Sequence, residues 1–186
     1  MDYANLAKAA YFAALKNPGQ DTYEYQKAAC QLPEFAYYFA RFVQGADVEY
    51  CQEFVCNINH ITEDPTNAYW AYQFAENVPN ANIEVCQVAA CKNPYYATIF
   101  ATFIESADIE YCQESACQDP ESAYYFAKAV KNADIAKCQE ATYQEPFWTC
   151  MFLVDIDSAD HTEGKKHLSG KTLERYNRAI MERCLK

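Results

Sequence analysis

The chain has 186 residues, with 26 Asp and Glu against 15 Lys and Arg, ten cysteines and only four glycines. Its net charge of −11 argues against direct nucleic-acid binding, because an acidic surface repels phosphate backbones. No apolar run is long enough to span a membrane. The charge is uneven: residues 161–186 hold seven basic and three acidic residues, net +4, whereas residues 1–160 hold eight and 23, net −15.

A block of about 26 residues recurs along the chain, and clear copies begin at Pro33, Pro65, Pro94 and Pro120. A fixed period of this length is typical of stacked repeats, in which no single repeat buries its own apolar face. We therefore expect a continuous helical-repeat array over residues 1–160. Residues 161–186 are expected to add a polar loop and a basic amphipathic capping helix to the same structural unit.

The first half of each copy predicts a short helix. It opens with a cap and a proline, as at Asp119-Pro120 and Asn93-Pro94. Apolar residues then follow at i, i+3, i+4 and i+7, which is one face of an α-helix. This face recurs as Ala36, Phe39, Ala40, Val43; Ala71, Phe74, Ala75, Val78; Ala97, Phe100, Ala101, Ile104; Ala123, Phe126, Ala127, Val130; and Thr149, Phe152, Leu153, Ile156.

The second half predicts another helix, which begins at an Asp or Asn cap. Its inward positions include the first of two cysteines, and its outward positions are expected to be Glu and Gln, as in Glu110, Gln113 and Glu114. The predicted caps are Asp21, Asp47, Asn82, Asp108 and Asp134.

These patterns predict an all-α fold, an α-solenoid of about five to six short helical hairpins with a C-terminal capping helix. The spacing between Cys56 and Ala71 is nine residues longer than in other copies, so a longer loop containing His60 is expected over 57–70. A second polar loop is expected over 155–170. The capping helix is predicted over 171–185, with one apolar side formed by Leu173, Tyr176, Ile180 and Cys184 and an outer side of Lys171, Arg175 and Arg178.

Over about residues 7–160 the repeat resembles the short all-α solenoid repeats of the HEAT-like and leucine-rich-variant kinds. The chain lacks the N-terminal cysteine cluster that suggests an iron–sulfur centre in the leucine-rich-variant group. The resemblance implies a binding scaffold, by analogy of fold.

The cysteines follow the repeat. Each complete second helix carries two, five positions apart, and because five residues turn a helix by about 140° the two thiols face opposite neighbouring repeats. The leading position of the first copy is Tyr25 and the trailing position of the last copy is Tyr143, the two places where a bond between neighbours has no partner. The pattern predicts four inter-repeat disulfides and a fifth that joins the capping helix: Cys30–Cys51, Cys56–Cys86, Cys91–Cys112, Cys117–Cys138 and Cys150–Cys184.

The alternative is that the cysteines are small core residues in a reducing cytosol, where buried free cysteine is common. Disulfides would suit the extracellular space, the periplasm or a virion surface, and free thiols would suit the cytoplasm.

No metal or cofactor is expected. Neither Cys-x-x-Cys nor paired Cys/His spacing occurs, which argues against zinc, haem and iron–sulfur sites. One acidic cluster departs from the EF-hand pattern at Ala159 and at the turn glycine, so solvated loop charges explain it better than calcium. The cluster comprises Asp155, Asp157, Asp160, His161 and Glu163.

An outward stripe of mostly aromatic residues remains on the first helices, about 160–200° from the inner alanine. Exposed aromatics in a row mark a binding face, but a second layer, a dimer mate or inter-repeat packing would also cover them. The stripe is Tyr38, Tyr69, Tyr95, Ile99, Tyr125, Phe147 and Met151. Flanking aromatics are expected to pack between neighbouring repeats: Tyr37, Trp70, Tyr72, Tyr96, Tyr124 and Trp148.

No catalytic residue is predicted. His60, His161 and His167 fall in predicted loops or the tail without a nucleophile partner, and phosphate-loop and nucleophile-elbow motifs are missing. We therefore expect a non-enzymatic, disulfide-linked scaffold that binds a protein through the stripe. That protein is a partner or a second copy of the chain, joined through the basic cap and the acidic body. Two alternatives stay open: an acidic nucleic-acid mimic that inhibits a host or partner protein, and a glycan-binding module.

Overall fold

The computed structural model describes residues 3–20, 22–56 and 65–184, and over these residues it is helical without any strand. Helices pack in adjacent pairs such as α1 with α2 and α9 with α10, which confirms an α-solenoid of short helical hairpins. The helices are α1 (Tyr3–Lys16), α2 (Thr22–Ala29), α3 (Pro33–Phe42), α4 (Val48–Val55), α5 (Pro65–Asn77), α6 (Ile83–Ala90), α7 (Pro94–Phe103), α8 (Ile109–Ala116), α9 (Pro120–Ala129), α10 (Ile135–Thr142), α11 (Pro146–Asp155), α12 (His161–Gly164) and α13 (Gly170–Cys184).

The chain divides into two compact units, an N-terminal unit of residues 1–96 and a C-terminal unit of residues 97–186. In the N-terminal unit the first helices of successive repeats, α1, α3 and α5, contact one another in order. In the C-terminal unit α9 contacts α11 in the same way, and α11 also contacts α12 and α13.

One phenylalanine on each first helix from α3 to α11 forms the centre of the core. These rings are completely buried, and so is the residue three positions before each: an alanine in α3, α5, α7 and α9, which allows close approach of a neighbouring helix, and Thr149 in α11. Full burial of a phenylalanine contributes about 1.5–3 kcal/mol. The five rings belong to Phe39, Phe74, Phe100, Phe126 and Phe152.

The predicted helix starts are confirmed wherever the structure describes them. Asp119 accepts a hydrogen bond from the Ser122 backbone N–H at 2.8 Å, and Asn93 accepts from the N–H groups of Tyr95 and Tyr96. Asp21 lies outside the described residues. The confirmed second-helix caps, each bonded to the backbone N–H three residues later, are Asp47, Asn82, Asp108 and Asp134.

The predicted loop over 57–70 is too long, because α5 already begins at Pro65. The proline opens this helix as it opens the other first helices, and the extra residues of this repeat precede it. Residues 57–64, including His60, lie outside the described residues.

The predicted polar loop over 155–170 is also wrong, because α12 and a 3-10 turn (Lys165–His167) occupy part of it. Asp160 caps this short helix by accepting from the N–H groups of Thr162 and Glu163. The segment is thus the second helix of a sixth hairpin, truncated to a single turn. Contrary to what the sequence pattern indicates, the helix that ends near Tyr143 is therefore not the last second helix of the array. The helix that follows it, α12, contains no cysteine that could pair at this position.

The capping helix is confirmed over Gly170–Cys184. Leu168 and Tyr176 form a buried cluster with Cys150 and Leu153 of α11, and the predicted apolar side of α13 packs against that cluster through Leu173 and Ile180. This helix therefore covers the apolar surface that the last hairpin leaves open.

Candidate functional site

In three of the predicted cysteine pairs the two sulfur atoms are neighbours within one unit. The Sγ–Sγ distances are 3.6 Å for Cys30 and Cys51, 3.7 Å for Cys56 and Cys86, and 3.9 Å for Cys117 and Cys138. A disulfide requires about 2.05 Å, so these are thiols in contact rather than bonded pairs.

The six cysteines of these three pairs are therefore thiols, and so is Cys150. Cys91 and Cys112 belong to different units, so their pairing stays a prediction. The Cys150–Cys184 pairing also stays a prediction, because the side chain of Cys184 lies outside the described part. Cys150 itself is buried under α13.

At four places a buried glutamine, directly after the leading position of a second helix, joins that helix to the next second helix. Gln113 donates through Nε2 to the backbone oxygen of Asp134 at 2.7 Å and accepts through Oε1 from the N–H of Asp134 at 2.9 Å. One amide therefore satisfies both backbone groups of the next cap residue. We call this arrangement the glutamine bridge; the four described bridges are Gln26–Asp47, Gln52–Asn82, Gln113–Asp134 and Gln139–Asp160.

The expectation that Gln113 faces outward is wrong, because its side chain is only 3% exposed. The sequence contains a pattern that distinguishes this buried position from the outward ones. The bridge position is glutamine in every copy, directly after the leading position, whereas the outward positions alternate between Glu and other residues. The copies are Tyr25-Gln26, Cys51-Gln52, Cys86-Gln87, Cys112-Gln113 and Cys138-Gln139.

The bridges also reach the thiols. Gln52 Nε2 lies 3.3 Å from the Sγ of Cys86, and Gln113 Nε2 lies 3.1 Å from the Sγ of Cys138. The trailing cysteine of the same helix contacts that same sulfur. These two contacts, of α4 with α6 and of α8 with α10, are therefore small clusters of one amide and two thiols.

In each of the three pairs, contact between the thiols raises the pKa of one of them. The hydrogen bond with Cys30, followed by burial, raises the pKa of the Cys51 thiol, and contact with Cys86 together with burial raises the pKa of Cys56. In the third pair the hydrogen bond between the thiols and burial raise the pKa of Cys138, whereas the hydrogen bond with Cys138 and the nearby Lys137 ammonium lower the pKa of Cys117.

The residues of the outward stripe differ in exposure. Tyr95 is 57% exposed, and Tyr125 and Phe147 are each 44% exposed. The other four, Tyr38, Tyr69, Ile99 and Met151, are half-buried.

Neighbouring side chains explain the half-buried positions. The Tyr38 ring packs against Tyr11, Phe42 and Trp70, with centroids 5.6–6.3 Å apart. In the C-terminal unit Arg175 of α13 lies over the Phe147 ring and donates to the sulfur of Met151 at 3.3 Å. The capping helix thus contacts the end of the stripe, which the sequence pattern did not predict.

Five of the six flanking aromatics pack between neighbouring first helices, as expected, and Tyr72 instead donates to Glu76 of its own helix. Tyr37 packs against Trp70 with centroids 5.4 Å apart, and Tyr124 packs against Trp148 at 5.5 Å. Tyr37 and Tyr124 are each 2% exposed.

A polar contact reinforces the packing between α9 and α11. The Tyr124 hydroxyl donates to Asp155 Oδ2 at 2.5 Å, and Lys128 Nζ lies 3.0 Å from the same oxygen. The Tyr124 hydrogen bond and the Lys128 ammonium hold the pKa of the Asp155 carboxyl below its usual range.

The acidic cluster considered for calcium is not assembled. Asp155 bonds Tyr124, Asp160 caps α12, and Glu163 pairs with Lys166 at 2.5 Å. Within the described residues, no group of three or more His, Cys, Asp or Glu side chains is arranged to hold a metal ion.

Both described histidines have structural partners. His161 Nδ1 lies 2.8 Å from the Tyr176 hydroxyl, and the His167 ring stacks on Tyr143 with centroids 3.8 Å apart. These contacts join α12 and the following turn to α13 and α10.

None of the described helices is both long and apolar enough to cross a membrane. The chain matches no protein-family model, no curated protein and no solved structure.

Proposed function

We propose that this chain is a non-enzymatic scaffold for protein binding or self-assembly, which uses the outward aromatic stripe as its contact surface. The observation that supports this most directly is the exposure of Tyr95 and Tyr125, at 57% and 44%. Tyr95 stands two residues before the buried Ala97 of its helix, and Tyr125 stands two residues after the buried Ala123 of its own helix. These two positions of the repeat are four residues apart and therefore share one helix face. A tyrosine offers apolar area and a hydroxyl at low entropic cost.

In this proposal the scaffold works with its second helices joined by inter-repeat disulfides. The contacts between the sulfur atoms of Cys30 and Cys51, and of Cys56 and Cys86, support the neighbour-to-neighbour pairing. The compartment would then be oxidising: extracellular, periplasmic or a virion surface.

The uneven charge of the chain supports self-assembly. Lys171 and Arg178 are exposed on α13, and residues 161–186 carry a net charge of +4 against −15 for the rest of the chain. Opposite charges on two ends of the same chain favour encounter between copies, and the aromatic residues would supply the lasting contact.

Sedimentation velocity over a range of protein and salt concentrations tests the proposal. We expect concentration-dependent association that is lost in the Tyr95→Ser/Tyr125→Ser variant. The matched control is Tyr23→Ser, because Tyr23 is 63% exposed but lies on the second helix α2. A chain that stays monomeric throughout, or one that associates equally well without both tyrosines, contradicts self-assembly through the stripe.

A second candidate is an acidic nucleic-acid mimic that occupies the binding groove of a host or partner protein. The observation in its favour is a set of exposed glutamates at repeated positions of the second helices: Glu49, Glu84, Glu110, Glu53, Glu114 and Glu140. Association by this route would weaken steeply with salt and would survive the tyrosine substitutions. The same sedimentation series, repeated with a nucleic-acid-binding protein added, therefore separates the two candidates.

A further inference from the structure

Cys117 is the most accessible thiol that the structure describes. It is half-buried at the C-terminal end of α8, whereas the other eight described cysteines are at most 8% exposed. Its neighbour Cys138 on α10 lies 3.9 Å away and is completely buried. A reagent in solution therefore reaches Cys117 first and reaches Cys138 only through it.

The local charge also differs from that of the other repeats. In earlier second helices the two residues before the leading cysteine are a glutamate and a tyrosine or valine: Glu49-Tyr50, Glu84-Val85 and Glu110-Tyr111. Before Cys138 they are Ala136 and Lys137, which removes one carboxylate and adds one ammonium.

Lys137 acts on the thiol despite two opposing groups. Its contact with Glu114 is long, at 3.8 Å, and both side chains are substantially exposed, so the pair is weak. Burial and, more weakly, the Asp134 carboxylate oppose thiol ionisation, yet the Cys138 hydrogen bond and the Lys137 ammonium together lower the pKa of Cys117. A larger thiolate fraction speeds attack on a disulfide.

We propose that Cys117 is the site at which low-molecular-weight disulfides such as oxidised glutathione modify this protein, and that Cys138 then resolves the adduct. The Cys117 thiolate attacks one sulfur of the small disulfide, whose S–S bond breaks and releases one thiolate. The Cys138 sulfur then attacks Cys117 and passes its proton to the second departing thiolate. The net reaction oxidises two protein thiols to one disulfide and reduces one small disulfide to two thiols.

The surroundings of Cys138 suit the resolving step. Gln113 Nε2, 3.1 Å from the Cys138 sulfur, is a hydrogen-bond donor to the negative charge that develops when this thiol loses its proton. The two sulfur atoms must approach by nearly 2 Å to bond. This inference rests on the proposed inter-repeat disulfides, and it adds an entry point and an order of oxidation.

The test treats the fully reduced chain with oxidised glutathione, quenches samples in acid, and labels remaining thiols before and after reduction with light and heavy alkylating reagents. Peptide mapping then gives a rate for each cysteine. We expect Cys117 and Cys138 to be oxidised at least about tenfold faster than Cys30 or Cys56. In Cys138→Ser the glutathione adduct should accumulate on Cys117.

The N-terminal unit offers a matched control. Cys86→Ser leaves Cys56 in the equivalent position, 6% exposed, and should accumulate little adduct. Lys137→Tyr, which installs the residue found at positions 50 and 111, should slow Cys117 severalfold, and Lys137→Arg should not.

Comparable oxidation rates at Cys56 and Cys117 would overturn the assignment of Cys117 as the entry point. The proposal of inter-repeat disulfides would still stand in that case if the mapped pairs form. An adduct on Cys117 that never gives way to a Cys117–Cys138 bond in the unmodified chain would overturn both the resolving step and the disulfide at this position.

Discussion

At the scale of single residues, the glutamine bridge explains why one polar side chain recurs inside the core. A buried backbone N–H and C=O at the start of each second helix need partners, and one primary amide supplies a donor and an acceptor at once. Glutamate at the same position cannot donate, and alanine can do neither. The bridge therefore accounts for glutamine at this position in the four copies where it is described, including Gln26, which follows a tyrosine instead of a cysteine.

The first prediction concerns Gln113. Gln113→Leu removes both partners of the Asp134 backbone, so we expect the free energy of unfolding to fall by about 2–3 kcal/mol. Gln113→Glu should cost at least as much, because a buried carboxylate would face the Asp134 carbonyl oxygen. Urea denaturation followed by circular dichroism gives the change.

The control for this prediction is Gln118→Leu, because Gln118 is exposed just beyond the same helix. We expect it to change stability by less than about 0.5 kcal/mol. Equal effects at positions 113 and 118 would contradict a structural role for the bridge.

The second prediction concerns Gly164, which stands 26 positions after the leading Cys138. A Cβ atom at Gly164 would lie 2.6 Å from Leu153 Cδ2 and 3.0 Å from Gln139 Nε2. Alanine normally stabilises a helix relative to glycine, but here we expect Gly164→Ala to destabilise by about 1–3 kcal/mol. Thermal unfolding measures this decrease in the free energy of unfolding.

Leu153→Ala would open space for the new methyl group. The double variant should therefore lose less stability than the sum of the two single variants. A stabilising Gly164→Ala substitution, or strict additivity, would be inconsistent with the close approach of α11 and α12.

At the scale of helices, the third prediction concerns the contact between α9 and α11. The folded-state pKa of Asp155 is lowered, so this carboxylate stabilises the fold above the unfolded-state pKa of about 4, and the contribution is lost as pH falls through the folded value. Asp155→Asn should cost about 1 kcal/mol at neutral pH, and the cost should shrink as the solution becomes more acidic than about pH 4.

Asp157→Asn is the matched control for this pH dependence, because the Asp157 side chain is 96% exposed and makes only a long contact with Arg183. It should change stability little at any pH. A stability difference between the unmodified chain and Asp155→Asn that does not depend on pH would contradict a stabilising contribution from the contacts of the Asp155 carboxylate with Tyr124 and Lys128.

The helices that could be predicted are those with strong local signals. An Asp or Asn cap, a proline at the first turn and apolar residues at helical spacing are all contained within one repeat, as at Asp119 and Pro120. The short helix α12 escaped prediction because it lacks apolar spacing and forms only where Gln139 of the preceding second helix binds the Asp160 backbone. That partner is 21 positions away, beyond any local pattern.

The same limit applies to the candidate site, of which only the locally encoded part could be predicted. Alternation of cysteine and tyrosine at equivalent positions predicted which thiols are neighbours, whereas the different exposure along the stripe could not be predicted. Exposure depends on rings from adjacent helices, as at Tyr38, and on Arg175 of the capping helix. Helical angles alone do not specify these contacts.

At the scale of the whole molecule, neighbouring hairpins within a unit are connected by aromatic contacts between first helices and by glutamine bridges between second helices. Paired thiols are a third connection, which is missing between α10 and α12. Connections of this kind make stability approximately a sum of repeats and their interfaces. A disulfide closing a loop of about 20 residues would add about 3 kcal/mol if it formed without strain. The fourth prediction is that reduction lowers the melting temperature of the oxidised chain, as scanning calorimetry would measure.

The central claim is that thiols of successive second helices are partners. The most direct measurement is a thiol count under denaturing, non-reducing conditions, followed by mapping of linked peptides. We predict no free thiols in the protein from its native compartment, with bonds Cys30–Cys51, Cys56–Cys86, Cys91–Cys112, Cys117–Cys138 and Cys150–Cys184. Ten free thiols, or bonds that skip a repeat, would contradict it.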